Sequence, residues 1–229
     1  MAAGRSETMR MGVGWGSALV SHPRDGRFKR LPGLPPGMQV TTHGTFRVLE
    51  STREENELLL LDVESYDPTY VAVGESVADL EPGYTIDATV EWEEGTPRVT
   101  TLSVRTETLF EFVDGATNIF EAAQDTWQEG ESMGEGMNST VTYSTDNEPN
   151  GVVYTFVKQA GERDLFSEFR DGITPLEPLV ERVGEHVAPP YEVFVLNPEV
   201  EPFVVVYICL EKGGMLADTV RDTYDCPRR

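Results

Sequence analysis

No apolar run in this chain is longer than a strand. The longest, at 58–61 and 203–210, fall far short of the roughly 20 consecutive apolar residues that cross a bilayer. Runs this short, broken by turn residues, can be buried only by pairing into sheets and stacking small elements. No membrane partner is therefore expected. With 229 residues, 39% of them hydrophobic, the chain has material for one large or two small domains with ordinary cores.

Charge narrows the setting. The chain carries 40 acids against 18 bases, and only three of the bases are lysines, Lys29, Lys158 and Lys212. An acid excess can mean disorder. Here the acids are spread between regular hydrophobic runs, which argues for a folded surface. In about 1 M salt the Debye length is about 3 Å, so carboxylates barely repel. A high net charge also keeps a protein soluble where salt drives apolar surfaces together. The composition reads as that of a halophilic, cytoplasmic protein. The two cysteines, Cys209 and Cys226, make no disulfide scaffold.

Residues 1–37 stand apart. They hold six bases and two acids, leaving 38 acids against 12 bases for the remainder. The segment is rich in Gly and Pro and lacks helical or strand periodicity. A secretory signal would need an uninterrupted apolar stretch, whereas 11–20 contains three glycines and a serine. A basic nucleic-acid arm is a second reading. The third, favoured because the charge balance changes just where a Met precedes the first strand, is an unstructured tail upstream of a true start at Met38.

From Gly44 the pattern is β. Strands are expected at 45–50, 57–63, 69–73, 84–92 and 98–104, the last two joined through a turn at 93–97. Five short strands in so few residues suggest a small barrel over 38–113, since closure removes exposed edges. An oligonucleotide-binding-type (OB-like) barrel is the commonest such fold. Beyond it, 114–229 reads as α+β. Helices are expected at 117–129, 162–170, 175–185 and 215–224, and strands at 139–144, 152–158, 191–196 and 203–210. The helix at 175 has Thr174 as its expected N-cap, Pro175 at N1 and Glu177 at N3.

This second half looks duplicated. Glu148-Pro149-x-x-Val152-Val153-Tyr154 recurs as Glu201-Pro202-x-x-Val205-Val206-Tyr207, each copy in a hairpin followed by Gly and a helix. Two such hairpins predict a four-stranded antiparallel sheet with helices on one face, the Val-Val-Tyr strands central and Tyr154 equivalent to Tyr207.

The stretches 44–50, 108–115, 148–151 and 214–226 resemble a haloarchaeal protein family of unknown function, over about residues 42–227. The resemblance implies no activity and no cofactor.

Candidate chemistry is sparse. Asp218, Asp222 and Asp225 share a helix face and could hold a divalent cation. In a chain this acidic they read better as a solvated face, and no metal is expected. Cys226 as a nucleophile would need a base, and His22, His43 and His186 all lie far off in sequence. Lys212-Gly213-Gly214 joins a strand to a helix and could bind phosphate through free amides, though without P-loop spacing. On the barrel, Tyr70 and Trp92 could stack bases, beside Tyr66 and Tyr84. Arg47, Arg98 and Arg105, with Arg53, could contact a nucleic-acid backbone. The reading that results is a non-enzymatic binding or accessory protein with a nucleic-acid or protein ligand. Its alternative is an enzyme with a site near the Lys212-Gly213-Gly214 turn and the C-terminal carboxylates.

The charge argument yields one expected outcome. The native circular dichroism spectrum should be lost below a few tenths molar KCl, because unscreened carboxylates then repel across the whole body. A cooperative melt unchanged between dilute buffer and multimolar KCl would refute it.

Overall fold

A computed structural model describes residues 40–158, 161 and 164–227. The expectations for residues 1–37 lie outside them. The fold is α+β, with two five-stranded, mostly antiparallel sheets and four helices.

The first sheet contains β1 (Val40–Glu50), β2 (Glu57–Asp62), β3 (Pro68–Ala72), β4 (Thr85–Glu93) and β5 (Thr96–Thr106), in the order β3-β2-β1-β4-β5. β1 is long enough to serve two partners: 46–50 pair with β2 and 40–47 with β4. Strand alternation then sorts the side chains. Phe46, Val48, Leu58, Leu60, Ile86, Ala88 and Val90 fill one core, and Leu49, Leu59 and Leu61 point the other way into a second. The run of four leucines is thus shared between two cores, two to each. No hydrogen-bonded strand pair closes this sheet among the described residues, so the expected closed barrel is not found.

The second sheet contains β6 (Leu109–Ala116), β7 (Met137–Tyr143), β8 (Pro149–Val157), β9 (Glu192–Pro198) and β10 (Phe203–Cys209), in the order β6-β9-β10-β8-β7. Only β6 runs parallel to its neighbour, β9. The helices are α1 (Glu121–Met133), α2 (Leu165–Arg170), α3 (Glu177–Gly184) and α4 (Met215–Tyr224). β10 is buried along its whole length, because helices cover both faces. α2 and α3 lie on one side with Leu49, Leu59 and Leu61 of the first sheet. α1 and α4 lie on the other, where Trp127 stacks on Phe203 and Phe120 on Tyr207.

Four further expectations need correction. The second sheet has five strands, not four, since β6 adds beside β9 and spans the boundary placed between 113 and 114. Helices occupy both faces rather than one. The duplication also fails: Tyr154 stands opposite Val206 and Tyr207 opposite Val153. Cross-strand partners share a face, so the two tyrosines point to opposite sides. The helices that follow them do so too, which no two-fold through an antiparallel pair allows. The α3 start also differs from its signature. The helix begins at Glu177 with Leu176 as N-cap, and the Thr174 hydroxyl donates instead to Glu168, 2.7 Å away.

The two sheets meet at Gly83. Its φ is +98°, its N–H donates to the Val48 carbonyl, and the adjoining Pro82 carbonyl accepts from Phe110 N–H on β6. A Cβ built on Gly83 would lie 2.5 Å from the Phe110 nitrogen and 2.6 Å from the Thr108 oxygen, both backbone atoms. Gly83→Ala should therefore destabilise the protein by at least about 2 kcal/mol, combining left-handed backbone strain with a clash that cannot relax by rotamer. Urea unfolding in molar KCl measures this, and a midpoint equal to wild type would contradict the close approach.

Candidate functional site

The structure scatters the residues proposed for nucleic-acid contact. Arg47 is 5% exposed. Its Nε donates to Glu177 Oε1 at 2.6 Å, its Nη1 to the Gly83 carbonyl, and its guanidinium lies 4.9 Å from the Phe110 ring centroid. It is an internal fastener with no donor facing a ligand. Tyr70 is half-buried, with the Arg53 guanidinium 4.1 Å from its ring. Trp92 is half-buried and packs on the first-sheet core. Arg98 lies 3.9 Å from Glu93, and Arg105 donates to Asp87 at 2.6 Å. Of these, only Arg105 joins the site described below.

The turn before α4 is similarly engaged. Gly213, with φ +68°, donates its amide to Glu192 Oε1 at 2.7 Å, and Gly214 is the N-cap of α4. Lys212 sits 3.3 Å from Glu107 and 5.3 Å from the Tyr84 ring centroid. The Gly213 amide offered for a phosphate thus already holds a carboxylate. Behind it lies Arg221, 4% exposed, whose guanidinium reaches Glu192 at 2.6 Å and Glu111 at 3.5 Å. Its Nη1 also donates to the Pro227 carbonyl. Sequence reading missed Arg221 because its neighbours Asp218 and Asp222 make that helix look wholly solvated. Its one signal was its place one residue after Val220 on the packed side. Among the described residues no group of carboxylates, histidines or cysteines is arranged to hold a metal ion.

Neither cysteine is poised as a nucleophile. Burial pushes the Cys209 thiol far up, and burial together with the Glu111 carboxylate pushes Cys226 up to about 11. Both stay protonated at neutral pH, and only the thiolate attacks.

The first sheet also carries a groove of about 710 Å³. The β1 residues His43, Thr45, Arg47 and Leu49 share a face by alternation. The half bearing Arg47 and Leu49 packs inward, while the half bearing His43 and Thr45 opens into the groove. β4 adds Asp87 and Thr89, and β5 adds Thr101, Ser103 and Arg105. Two polar ladders cross these strands. His43 Nδ1 lies 2.9 Å from Thr89 Oγ1, which accepts from the Thr101 hydroxyl at 2.8 Å. The Thr45 hydroxyl donates to Asp87 Oδ1 at 2.7 Å, and Arg105 Nε to Asp87 Oδ2. The Thr45 hydroxyl first, and Arg105 second, hold the Asp87 carboxyl below the usual carboxylate range. It therefore stays ionised throughout the neutral range. Asp62 and Glu64 add two more carboxylates at the rim, and apart from the His43 imidazole no aromatic ring lines the groove among the described residues. Such a surface offers hydrogen-bond acceptors and a negative field, without a platform on which bases stack.

Alkylation by iodoacetamide of the folded protein should be slow at neutral pH and rise with pH towards about 11 as Cys226 ionises. Rapid labelling near neutrality would instead reveal a stabilised thiolate at the chain's end.

No curated protein and no solved structure matches the chain. Residues 38–229, which include both sheets, the groove and the buried Arg221 cluster, match the family of unknown function DUF6663, and the chain belongs to that family.

Proposed function

We propose that the protein is a non-enzymatic binding or accessory protein of a salt-rich cytoplasm, and that the groove on the first sheet receives a polypeptide partner. The groove itself carries this reading. It is an open, hydroxyl-lined surface with Asp62, Glu64 and Asp87 against Arg105, so it suits basic and hydrogen-bonding side chains. Nucleic acid is the less favoured ligand: the groove is net acidic, and Tyr70 and Trp92 lie outside it. The net charge of -22 supports the salt-rich setting, and two free cysteines fit a reducing compartment. We further read the first sheet as a partly open barrel of the oligonucleotide-binding type. Its strand order and the close approach of β3 to β5 support this. An enzyme site at the Lys212 turn has less to recommend it, since Glu192 occupies the Gly213 amide.

A photo-crosslinking residue at Ser103, in the full chain within cells grown in concentrated salt, should trap a discrete protein conjugate. Thr89→Lys or Arg105→Glu should abolish that conjugate while leaving the fold intact, and nuclease treatment should not affect it. A conjugate that disappears with nuclease would transfer the ligand to nucleic acid. No conjugate, or one insensitive to both substitutions, would refute the groove as the site.

A further inference from the structure

We propose that two copies of this chain pair antiparallel through the outer edge of β7, joining two five-stranded sheets into one of ten strands. β7 is the terminal strand of the second sheet and, among the described residues, is hydrogen-bonded as a strand only to β8. An edge left open is a template for another strand, and proteins blunt edges with charge, proline, bulges or cover. The other edges among the described residues are treated in these ways. β3 is five residues long and starts at Pro68, β5 carries Pro97, Arg98 and Arg105, and both lie near one another. β6 carries Glu111 and Asp114, and its Phe110 amide is bonded to Pro82 of the first sheet.

β7 lacks charge, proline and a bulge of its own. Residues 136–145 contain no charged side chain and no proline, in a chain with 40 acids. The one register irregularity falls at Asn150, on the β8 side of the pair. The backbone is also set for pairing. Val157 N–H donates to Gly136 C=O, so the even residues of β7 turn their amides and carbonyls towards β8. Met137, Ser139 and Val141 then turn theirs outward, where the Ser139 amide donates to its neighbour Asn138 Oδ1 at 2.9 Å and the Ser139 carbonyl and the Val141 groups face away from β8. The side chains of Ser139, Val141 and Tyr143 are exposed as well, Val141 by 41% and Tyr143 by 54%.

The lack of charge suits the edge to a second copy. An interface between two acidic chains would strip its carboxylates of water even where salt screens their repulsion, and this strip buries none. The strip is also self-complementary. About a two-fold at Thr140, Ser139 faces the second copy's Val141, and Met137 faces its Tyr143. Each match brings two residues with outward backbone groups into register, and the interface is isologous.

The full chain at micromolar concentration in molar KCl should sediment at twice its 25.4 kDa mass. Val141→Lys together with Tyr143→Lys should return it to the single-chain mass with an unchanged circular dichroism spectrum. Val141→Pro provides a second, milder variant. The Val141 amide points away from β8, so proline leaves the internal ladder whole while blocking the partner. Val200→Lys, at an exposed apolar residue elsewhere, should leave the double mass intact. A wild-type chain at single mass overturns the proposal, as does a double mass that survives both β7 variants. A single-chain protein that captures an unrelated strand at this edge overturns it too.

Discussion

The packing of the two sheets depends on one buried charge. Arg47 sits on a strand face that is half inside and half outside the protein, and it marks the change between the two. A guanidinium removed from water must find partners, and this one meets the Glu177 carboxylate, the Gly83 carbonyl and the face of Phe110. Those partners belong to α3, to the loop before β4 and to β6, so a single side chain ties three separate segments. Removing one member of such a pair costs about 3–5 kcal/mol, because the other is left charged and buried. The groove exists because of this arrangement. Beyond Arg47 no described element covers the same face, and its residues change from leucine to threonine, aspartate and histidine.

Arg221 repeats the device one residue along β6, on the opposite face of the second sheet. It binds β9 through Glu192 and β6 through Glu111, and Glu192 in turn takes the Gly213 amide at the head of α4. Together these contacts hold the parallel strand pair, the last helix and the Pro227 carbonyl. Guanidinium suits both sites, since its planar fork can satisfy several acceptors at once while an ammonium cannot. Dissolved salt weakens exposed pairs such as Arg98–Glu93 far more than these enclosed ones.

Much of the fold was legible wherever hydrophobic alternation was unambiguous. The strands of the first sheet, the packed helix residues Ala123 and Trp127, and the central places of β8 and β10 follow from local pattern, although α1 starts at Glu121, after Ile119 and Phe120. What failed depended on distant partners. β6 was not recognised as a strand, because its sequence, Leu-Phe-Glu-Phe-Val-Asp-Gly-Ala, becomes one only beside β9, more than 75 residues later. The apparent repeat aligned Tyr154 with Tyr207, whereas the register pairs Tyr154 with Val206, and that single step puts the aligned residues on opposite faces. Arg47 looked like a ligand-binding base because burial is invisible to composition. The groove was missed for the opposite reason: Thr45, Thr89 and Thr101 are ordinary strand residues until pairing aligns them across three strands.

The four leucines of β2 carry a last consequence. A strand with one wet face resists slippage, because moving by one residue exposes its whole apolar set. Glu57–Asp62 has no wet face along its middle, so a slipped β2 would present leucine to both cores just as the native one does. Its alignment must be specified at the ends, and the polar residues there do so. Asp62 accepts from the amides of Glu64 and Ser65 and closes a turn with Tyr66, while Glu57 accepts from the Ser51 hydroxyl. The greasiest segment of the first sheet is thus positioned by its two carboxylates.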